Sequence, residues 1–187
     1  MDYTKTDDKI IILVQEPNLN KQKSCTQLNS NFTTYFKKTF TINEGNEKYT
    51  NNPRACIHAS KNLDAYMISQ FSDKDQTTIA IKQNGNLAFF TSLYLPYDKP
   101  DPMTDILISL IDYCEKQKIK LYIGADANAH NTNWGSSNNN DRGIKLMDAI
   151  NILEMTILNE GNKPTFMTEN RSEVIDITFI NKYAENT

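Results

Sequence analysis

Short apolar runs bounded by turn-forming residues dominate the chain and predict β-strands. Lys9–Val14 is a continuous apolar run, and Pro17 stops it from continuing as a central strand. Asn18–Asn52 is polar and predicts a loop with a short helix or strand. Asn84-Gly85 predicts a hairpin turn between two strands. Seven further strands are predicted: Ala55–Ala59, Ala65–Ser69, Thr77–Ile81, Leu87–Leu95, Leu121–Gly124, Met155–Leu158 and Val174–Ile180.

In two segments the apolar residues recur with the spacing that is typical of an amphipathic helix. Asp101–Lys118 predicts a helix capped by Thr104. Its expected apolar face comprises Ile106, Leu107, Leu110, Ile111 and Cys114. Asp141–Asn151 predicts a second helix, with Ile144, Met147 and Ile150 facing inward. Strands with two intervening helices indicate an α/β or α+β class.

Length and charge narrow the function classes. The 187 residues suit one domain spanning 1–187, and the net charge of −3 excludes a generally basic nucleic-acid coat. A DNA enzyme remains open because a metal ion can supply local positive charge. Three widely spaced cysteines favour a reducing, intracellular compartment, and no apolar run reaches the length of a membrane span. The polar N-terminal stretch 1–9 resembles neither a signal nor a transit peptide.

Polar residues at strand ends are the first candidates for chemistry. Asp126 and Asn128 follow a predicted buried strand, and in an extended backbone they point to the same side. An acid beside an amide suits activation of a water next to a phosphate oxygen, although an ordinary Asp/Asn turn explains the same residues. Glu16 also ends a strand, where it is either a Mg²⁺ ligand or a solvated charge.

Four further residues have both a structural and a functional interpretation. Asp176 interrupts an apolar run and needs a partner, so it is either a satisfied structural acid or one that orients a catalytic histidine. Tyr94 ends a long strand, where packing is the ordinary role. His58 is expected to pack. His130 either contacts a ligand beside Asn128 or is a solvated loop residue.

The order of these motifs resembles the endonuclease domain of jockey-like non-LTR retrotransposons, in the exonuclease–endonuclease–phosphatase superfamily. The resemblance covers about residues 10–180, and its most specific part is Asp-x-Asn-Ala-His followed by Trp-Gly and Arg-Gly. The matching segments are Gln15-Glu16, Arg54–Ile57, Ser92–Pro96, Gly124–His130, Trp134-Gly135, Asp141–Gly143, Leu158–Gly161, Pro164–Phe166 and Val174–Thr178.

The resemblance implies a four-layer sandwich of two packed β-sheets flanked by helices. It implies hydrolysis of a DNA phosphodiester with Mg²⁺, or Mn²⁺ as the alternative, by a nuclear or cytoplasmic protein fused to a reverse transcriptase in a complete element. The implied roles are metal binding by Glu16, water activation by Asp126, phosphate contact by Asn128 and Tyr94, orientation of a histidine by Asp176, and DNA contact by Thr165. His130, by its position beside Asn128, is a further candidate for contact with the DNA.

Two departures from the family pattern set further expectations. No strand bearing an asparagine precedes Glu16, and no Ser-Asp-His segment follows Asp176. The fold is therefore expected to be incomplete at both termini, with impaired activity and stability. The alternative function is a catalytically inactive nuclease-like module that binds nucleic acid or protein. A phosphatase of the same superfamily is a third candidate.

Overall fold

The computed structural model describes residues 8–43 and 46–185, so positions 1–7 of the polar N-terminal stretch lie outside the described residues. Two compact units divide the chain between Ser92 and Leu93. A single domain over 1–187 stays a prediction. Neither α-helix of the described residues has the length and apolar character needed to cross a membrane.

The first unit is built from strands. They are β1 (Ile11–Gln15), β2 (Phe32–Tyr35), β3 (Thr39–Asn43), β4 (Asn46–Asn51), β5 (Ala55–Ser60), β6 (Ala65–Met67), β7 (Gln76–Gln83) and β8 (Asn86–Tyr94), the last of which runs past the division. One antiparallel sheet has the order β1-β5-β2, β3 pairs with β4, and β6, β7 and β8 lie side by side. The polar segment 18–52 therefore contains strands, and no helix is described in it.

The core of the first unit lies between β5 and β7. Ile57 and Ala59 of β5 pack with Ile79 and Ile81 of β7, and all four are buried. β5 is buried along its whole length, which fits its central place between β1 and β2. The turn from β7 to β8 is the predicted Asn84-Gly85, with φ of 51° and 80°.

The second unit places two helices around an antiparallel sheet. Its elements are α1 (Asp105–Gln117), β9 (Lys120–Asp126), α2 (Asp141–Ile152), β10 (Met155–Ile157), β11 (Phe166–Thr168), β12 (Arg171–Glu173) and β13 (Asp176–Asn181). The sheet order is β10-β13-β9, and β11 pairs with β12 as a separate hairpin. α1 contacts β9 and α2 contacts β10. The mixed α/β class is confirmed.

Both helices begin at side-chain caps. Thr104 Oγ1 accepts from the Leu107 N–H at 3.2 Å, as predicted. α1 starts at Asp105 rather than Asp101, since Pro102 disfavours helical geometry in the residue before it. Its buried face is Leu107, Leu110, Ile111 and Cys114.

The inward face of α2 differs from the prediction. Its buried residues are Gly143, Leu146 and Ile150, and Ile144 is 46% exposed. Ile144 follows Gly143 by one residue, which turns it about 100° away from the buried stripe. The expectation that Ile144 faces inward is therefore wrong, because Gly143 takes the buried position in this turn of α2 and makes the closest approach to the backbone packed against it.

Candidate functional site

Two acidic residues are partners across the β9–β13 ladder. Asp126 ends β9, and its register partner is Asp176, the first residue of β13. Directly opposed residues on antiparallel strands project from the same face, with Cβ atoms about 4.5–5.5 Å apart. Asp126 is buried and Asp176 is half-buried.

The chain leaves β9 through a tight turn. Asp126 Oδ1 accepts from the Asn128 N–H at 3.1 Å, which is the hydrogen bond of an Asx turn. Asn128 has φ of 45°, in the left-handed region that asparagine tolerates better than most residues. The backbone of Asp126 and Asn128 therefore forms the ordinary Asp/Asn turn that the sequence offered as the structural interpretation. The Asn128 side chain lines a cavity.

Leu95 joins this turn to the end of β8. Its N–H donates to the Asp126 carbonyl at 2.9 Å, and its carbonyl accepts from Asn128 Nδ2 at 3.3 Å. Tyr94 immediately precedes Leu95 and is 6% exposed. Three of the candidate residues are therefore brought together at one place in the second unit by backbone contacts.

Asp176 is held by polar neighbours from two loops. Thr165 Oγ1 accepts from the Ile175 and Asp176 N–H groups at 3.1 and 3.0 Å. Asn159 bridges the outer edge, where it donates to the Asp176 carbonyl at 2.9 Å and accepts from the Thr178 N–H at 2.7 Å. Burial raises the pKa of the Asp176 carboxyl, and a hydrogen bond from Thr165 opposes that shift.

His130 is buried rather than solvated, with 6% of its surface exposed. Nδ1 lies 3.0 Å from Asn138 Oδ1, and Nε2 contacts the Arg171 guanidinium. Because Arg171 can only donate, its guanidinium donates to the His130 ring. His130 therefore connects the turn after β9 to the β11–β12 hairpin.

Hydrogen bonds from the N-terminal end of α2 fix the backbone of His130. Asn140 Oδ1 accepts from the Gly143 N–H at 2.7 Å and from the His130 N–H at 3.2 Å. The Asn140 N–H donates to the His130 carbonyl at 3.1 Å. A Cβ at Gly143 would lie 1.8 Å from that carbonyl oxygen, so the Arg-Gly motif has a steric cause.

A cavity of about 700 Å³ opens in front of these residues. Its lining includes Asn128, His130, Arg142 and the acidic Asp141, together with Phe166 and Arg171 of the β11–β12 hairpin. Two of the three arginines of the chain therefore face one cavity in a protein whose net charge is −3. Such a lining suits an anionic group.

Arg142 is anchored and yet incompletely satisfied. Its Nε donates to the Ala127 carbonyl at 3.3 Å, and its Nη1 donates to the Lys99 carbonyl. Its Nη2 is buried without a hydrogen-bond partner among the described residues. Burial lowers the pKa of the guanidinium, and the charges of Asp101 and Asp126 oppose that shift, so the group stays cationic.

The Trp-Gly motif and Glu173 have structural explanations. Trp134 is 1% exposed, and Gly135 has φ of 94°. A Cβ at Gly135 would lie 2.3 Å from the Gly161 carbonyl oxygen. Glu173 accepts from Ser137 Oγ at 2.6 Å and from the Ser137 N–H at 3.1 Å, and these bonds lower its pKa. The buried Glu173 carboxylate is thus satisfied by a local partner.

Glu16 belongs to the first unit. It follows β1 with φ of 49°, and its N–H donates to the Arg54 carbonyl at 2.8 Å. Its exposed carboxylate has no hydrogen bond or ion pair with a described residue. The preceding Gln15 is fixed to β8 through Ser92 at 3.0 Å, so the strand end itself is anchored.

A divalent cation is compatible with these donors. No group of three His, Cys, Asp or Glu residues within 8–43 and 46–185 could hold a metal. Mg²⁺ needs only one or two protein carboxylates, because waters and phosphate oxygens complete its shell. Glu16 supplies a carboxylate of that kind, and its role as a ligand stays a prediction.

Sequence reasoning singled out some residues correctly for packing and missed others at the site. His58 packs as expected, with 6% of its surface exposed and Nδ1 2.9 Å from Thr34 Oγ1. Arg142, Arg171 and Asn159 had been given no role. Arg142 and Asn159 lie within segments of the family resemblance, so the motifs themselves were the available signal. Nothing in the local pattern around Arg171 marks it.

The chain matches one family model and several solved structures. A sequence model of the family described as "Endonuclease-reverse transcriptase" matches residues 88–187. The endonuclease domain of TRAS1, a telomere-specific non-LTR retrotransposon, is 26% identical with a TM-score of 0.66, covering 92% of this chain and 73% of that one. An endonuclease/exonuclease/phosphatase family protein from Leptotrichia buccalis C-1013-b is 13% identical with a TM-score of 0.50, covering 92% and 76%. A search of curated proteins finds no match.

The fold is that of the endonuclease/exonuclease/phosphatase class, shared with both solved structures. Within that class, the chain belongs to the endonuclease–reverse transcriptase family. The resemblance to endonuclease domains of non-LTR retrotransposons is confirmed.

Proposed function

We propose that the protein is a Mg²⁺-dependent endonuclease of retrotransposon origin that nicks DNA by hydrolysing a phosphodiester, and that Mn²⁺ substitutes for Mg²⁺. The observation that carries this proposal is the convergence of Tyr94, Asp126, Asn128 and Asp176 around the ends of β9 and β13, next to a cavity lined by arginines. The relationship to the TRAS1 endonuclease domain supports DNA as the substrate. The family description supports fusion to a reverse transcriptase in a complete element, and the protein is proposed to act inside the cell, in the nucleus or the cytoplasm.

The side chains divide the work of hydrolysis. Asp126 orients a water and takes its proton as the water oxygen attacks phosphorus and the bond to the leaving oxygen breaks. Asn128 Nδ2 and the Tyr94 hydroxyl donate to the phosphate oxygens, where negative charge grows in the transition state. Glu16 would hold the divalent ion, and that ion would supply electrostatic stabilisation to the phosphate. Thr165 and His130 face the DNA.

A catalytically inactive module that binds nucleic acid or protein is the second candidate. The observation that favours it concerns Asp176, whose expected role is to orient a histidine. The chain has two histidines, and the described contacts of neither include Asp176. The Asp176 carboxyl is instead served by the Thr165 hydroxyl.

Nicking of supercoiled plasmid separates the two candidates. The comparison is wild type with Mg²⁺, with Mn²⁺ and with EDTA, beside Asp126→Ala and the exposed α2 control Asp148→Ala. We expect metal-dependent nicking that EDTA abolishes, that Asp126→Ala lowers about 10²–10⁴-fold, and that Asp148→Ala preserves. A folded wild-type protein that binds DNA without nicking it in either metal contradicts the endonuclease and supports the binding module.

A further inference from the structure

The buried nitrogen of Arg142 is the least explained polar group at the site. Two of the three guanidinium nitrogens are fixed by the Ala127 and Lys99 carbonyls, so the plane of the group is held in place. The remaining nitrogen, Nη2, is buried without a partner among the described residues. Folded proteins pair nearly all such donors, so a buried unpaired donor calls for a specific explanation.

The surroundings of Arg142 indicate what the missing partner is. A guanidinium has donors only, so the partner must be an acceptor. Arg142 lines the 700 Å³ cavity together with Asn128 and Arg171, whose side chains also offer donors. Phosphate oxygens are strong acceptors for arginine, and the bonds are charge-assisted. A guanidinium already fixed by two carbonyls loses little freedom when it binds, which favours such a contact.

We propose that Arg142 contacts the DNA directly and that its Nη2 donates to a phosphate oxygen of the strand held in this cavity. This assignment rests on the proposed function, since it takes DNA as the ligand. The anchor on the Ala127 carbonyl places this contact beside the turn that carries Asp126 and Asn128. Arg142 therefore fixes the register of the phosphate backbone relative to the reacting group.

The test measures DNA affinity without catalysis. Fluorescence anisotropy follows a labelled DNA duplex bound to the full chain in EDTA over a series of salt concentrations. Arg142→Gln removes the positive charge and the branched guanidinium. Arg142→Lys keeps the charge but has one nitrogen in place of the three that serve the Ala127 carbonyl, the Lys99 carbonyl and the proposed phosphate oxygen. Lys145→Gln is the matched control, because it removes one exposed positive charge from the same helix outside the cavity lining.

We expect Arg142→Gln to weaken DNA binding roughly tenfold and Arg142→Lys to weaken it less. Loss of one phosphate contact also lowers the slope of log affinity against log salt by about one. Lys145→Gln should stay within about twofold of wild type, because its charge makes no direct contact. Thermal unfolding shows which variants are folded. If Arg142→Gln is not folded, the DNA affinity of Arg142→Lys tests the proposal instead.

Three results overturn the proposal. Wild-type affinity in the folded Arg142 variants shows that the guanidinium does not touch the DNA. An equal loss in Lys145→Gln shows that only net charge matters. A folded wild type that binds no duplex removes the proposed function together with this inference, whereas the first two results leave the proposed function intact.

Discussion

Gly143 is the residue at which the structure makes its sharpest stability prediction. A Cβ there would lie 1.8 Å from the His130 carbonyl oxygen and 2.5 Å from its carbon. Real Cβ contacts essentially never fall below 3.0 Å, so Gly143→Ala must open this contact by at least 1.2 Å, the difference between the two distances. The partner is backbone and cannot rotate away as a side chain would.

The energetic cost follows from the contacts that cross this gap. Asn140 and His130 exchange two hydrogen bonds, at 3.1 and 3.2 Å, which such a displacement breaks. Two typical hydrogen bonds contribute about 2 kcal/mol, and overpacking adds about 1–3 kcal/mol. Alanine is the better helix former by about 1 kcal/mol, which offsets part of the loss. The net expectation is destabilisation by about 2–4 kcal/mol.

Equilibrium unfolding in urea measures this difference. Gly143→Ala should lower the midpoint at an unchanged slope, which marks a change in stability rather than in surface exposed. Asn151→Ala is the control, since it also raises helix propensity in α2 but at an exposed position. If Gly143→Ala is instead as stable as wild type or more so, as propensity alone predicts, the argument from the His130 contact is refuted.

Three further predictions concern the neighbouring polar groups. Burial raises the pKa of Asp176, so ionisation of this carboxyl destabilises the folded protein as pH rises above the ordinary aspartate value. In EDTA, Asp176→Asn should therefore be more stable than wild type at pH 7, and this difference in stability should disappear near pH ~4. The Ser137 hydrogen bonds lower the pKa of Glu173, so Glu173→Gln should be less stable than wild type at pH 7. This difference should vanish as pH falls below the ordinary glutamate value of about 4.3. A stability difference that does not change with pH contradicts the explanation for Asp176 or for Glu173, whichever variant shows it. Asn159→Ala should lose about 1–3 kcal/mol in urea unfolding, because the Asp176 carbonyl and the Thr178 N–H lose their shared partner; an unchanged midpoint would show that water replaces it.

Local patterns determined most elements of this fold. The Thr104 cap, the Asn84-Gly85 turn and the core strands depend on residues close together in sequence, so they were readable from it. The β11–β12 hairpin was not predicted, because five of its six strand residues are exposed and carry no apolar alternation. The strand predicted from Val174 begins at Asp176, and that predicted over Ala65–Ser69 ends at Met67, where a 3-10 turn follows.

The site divides in the same way. The sequence alone determined that Asp126 and Asn128 follow a predicted strand and that Asp176 interrupts an apolar run predicted as a strand, because the pattern of apolar residues around them is local. The tertiary structure decided that Asp126 and Asp176 are cross-strand partners and that Leu95 brings Tyr94 to them. It also decided that His130 is buried against Arg171, and that Arg142 keeps one nitrogen unpaired. The contacts of Asp126 with Asp176, Leu95 with Asn128 and His130 with Arg171 join residues that are 33 to 50 positions apart, and only packing fixes such distances.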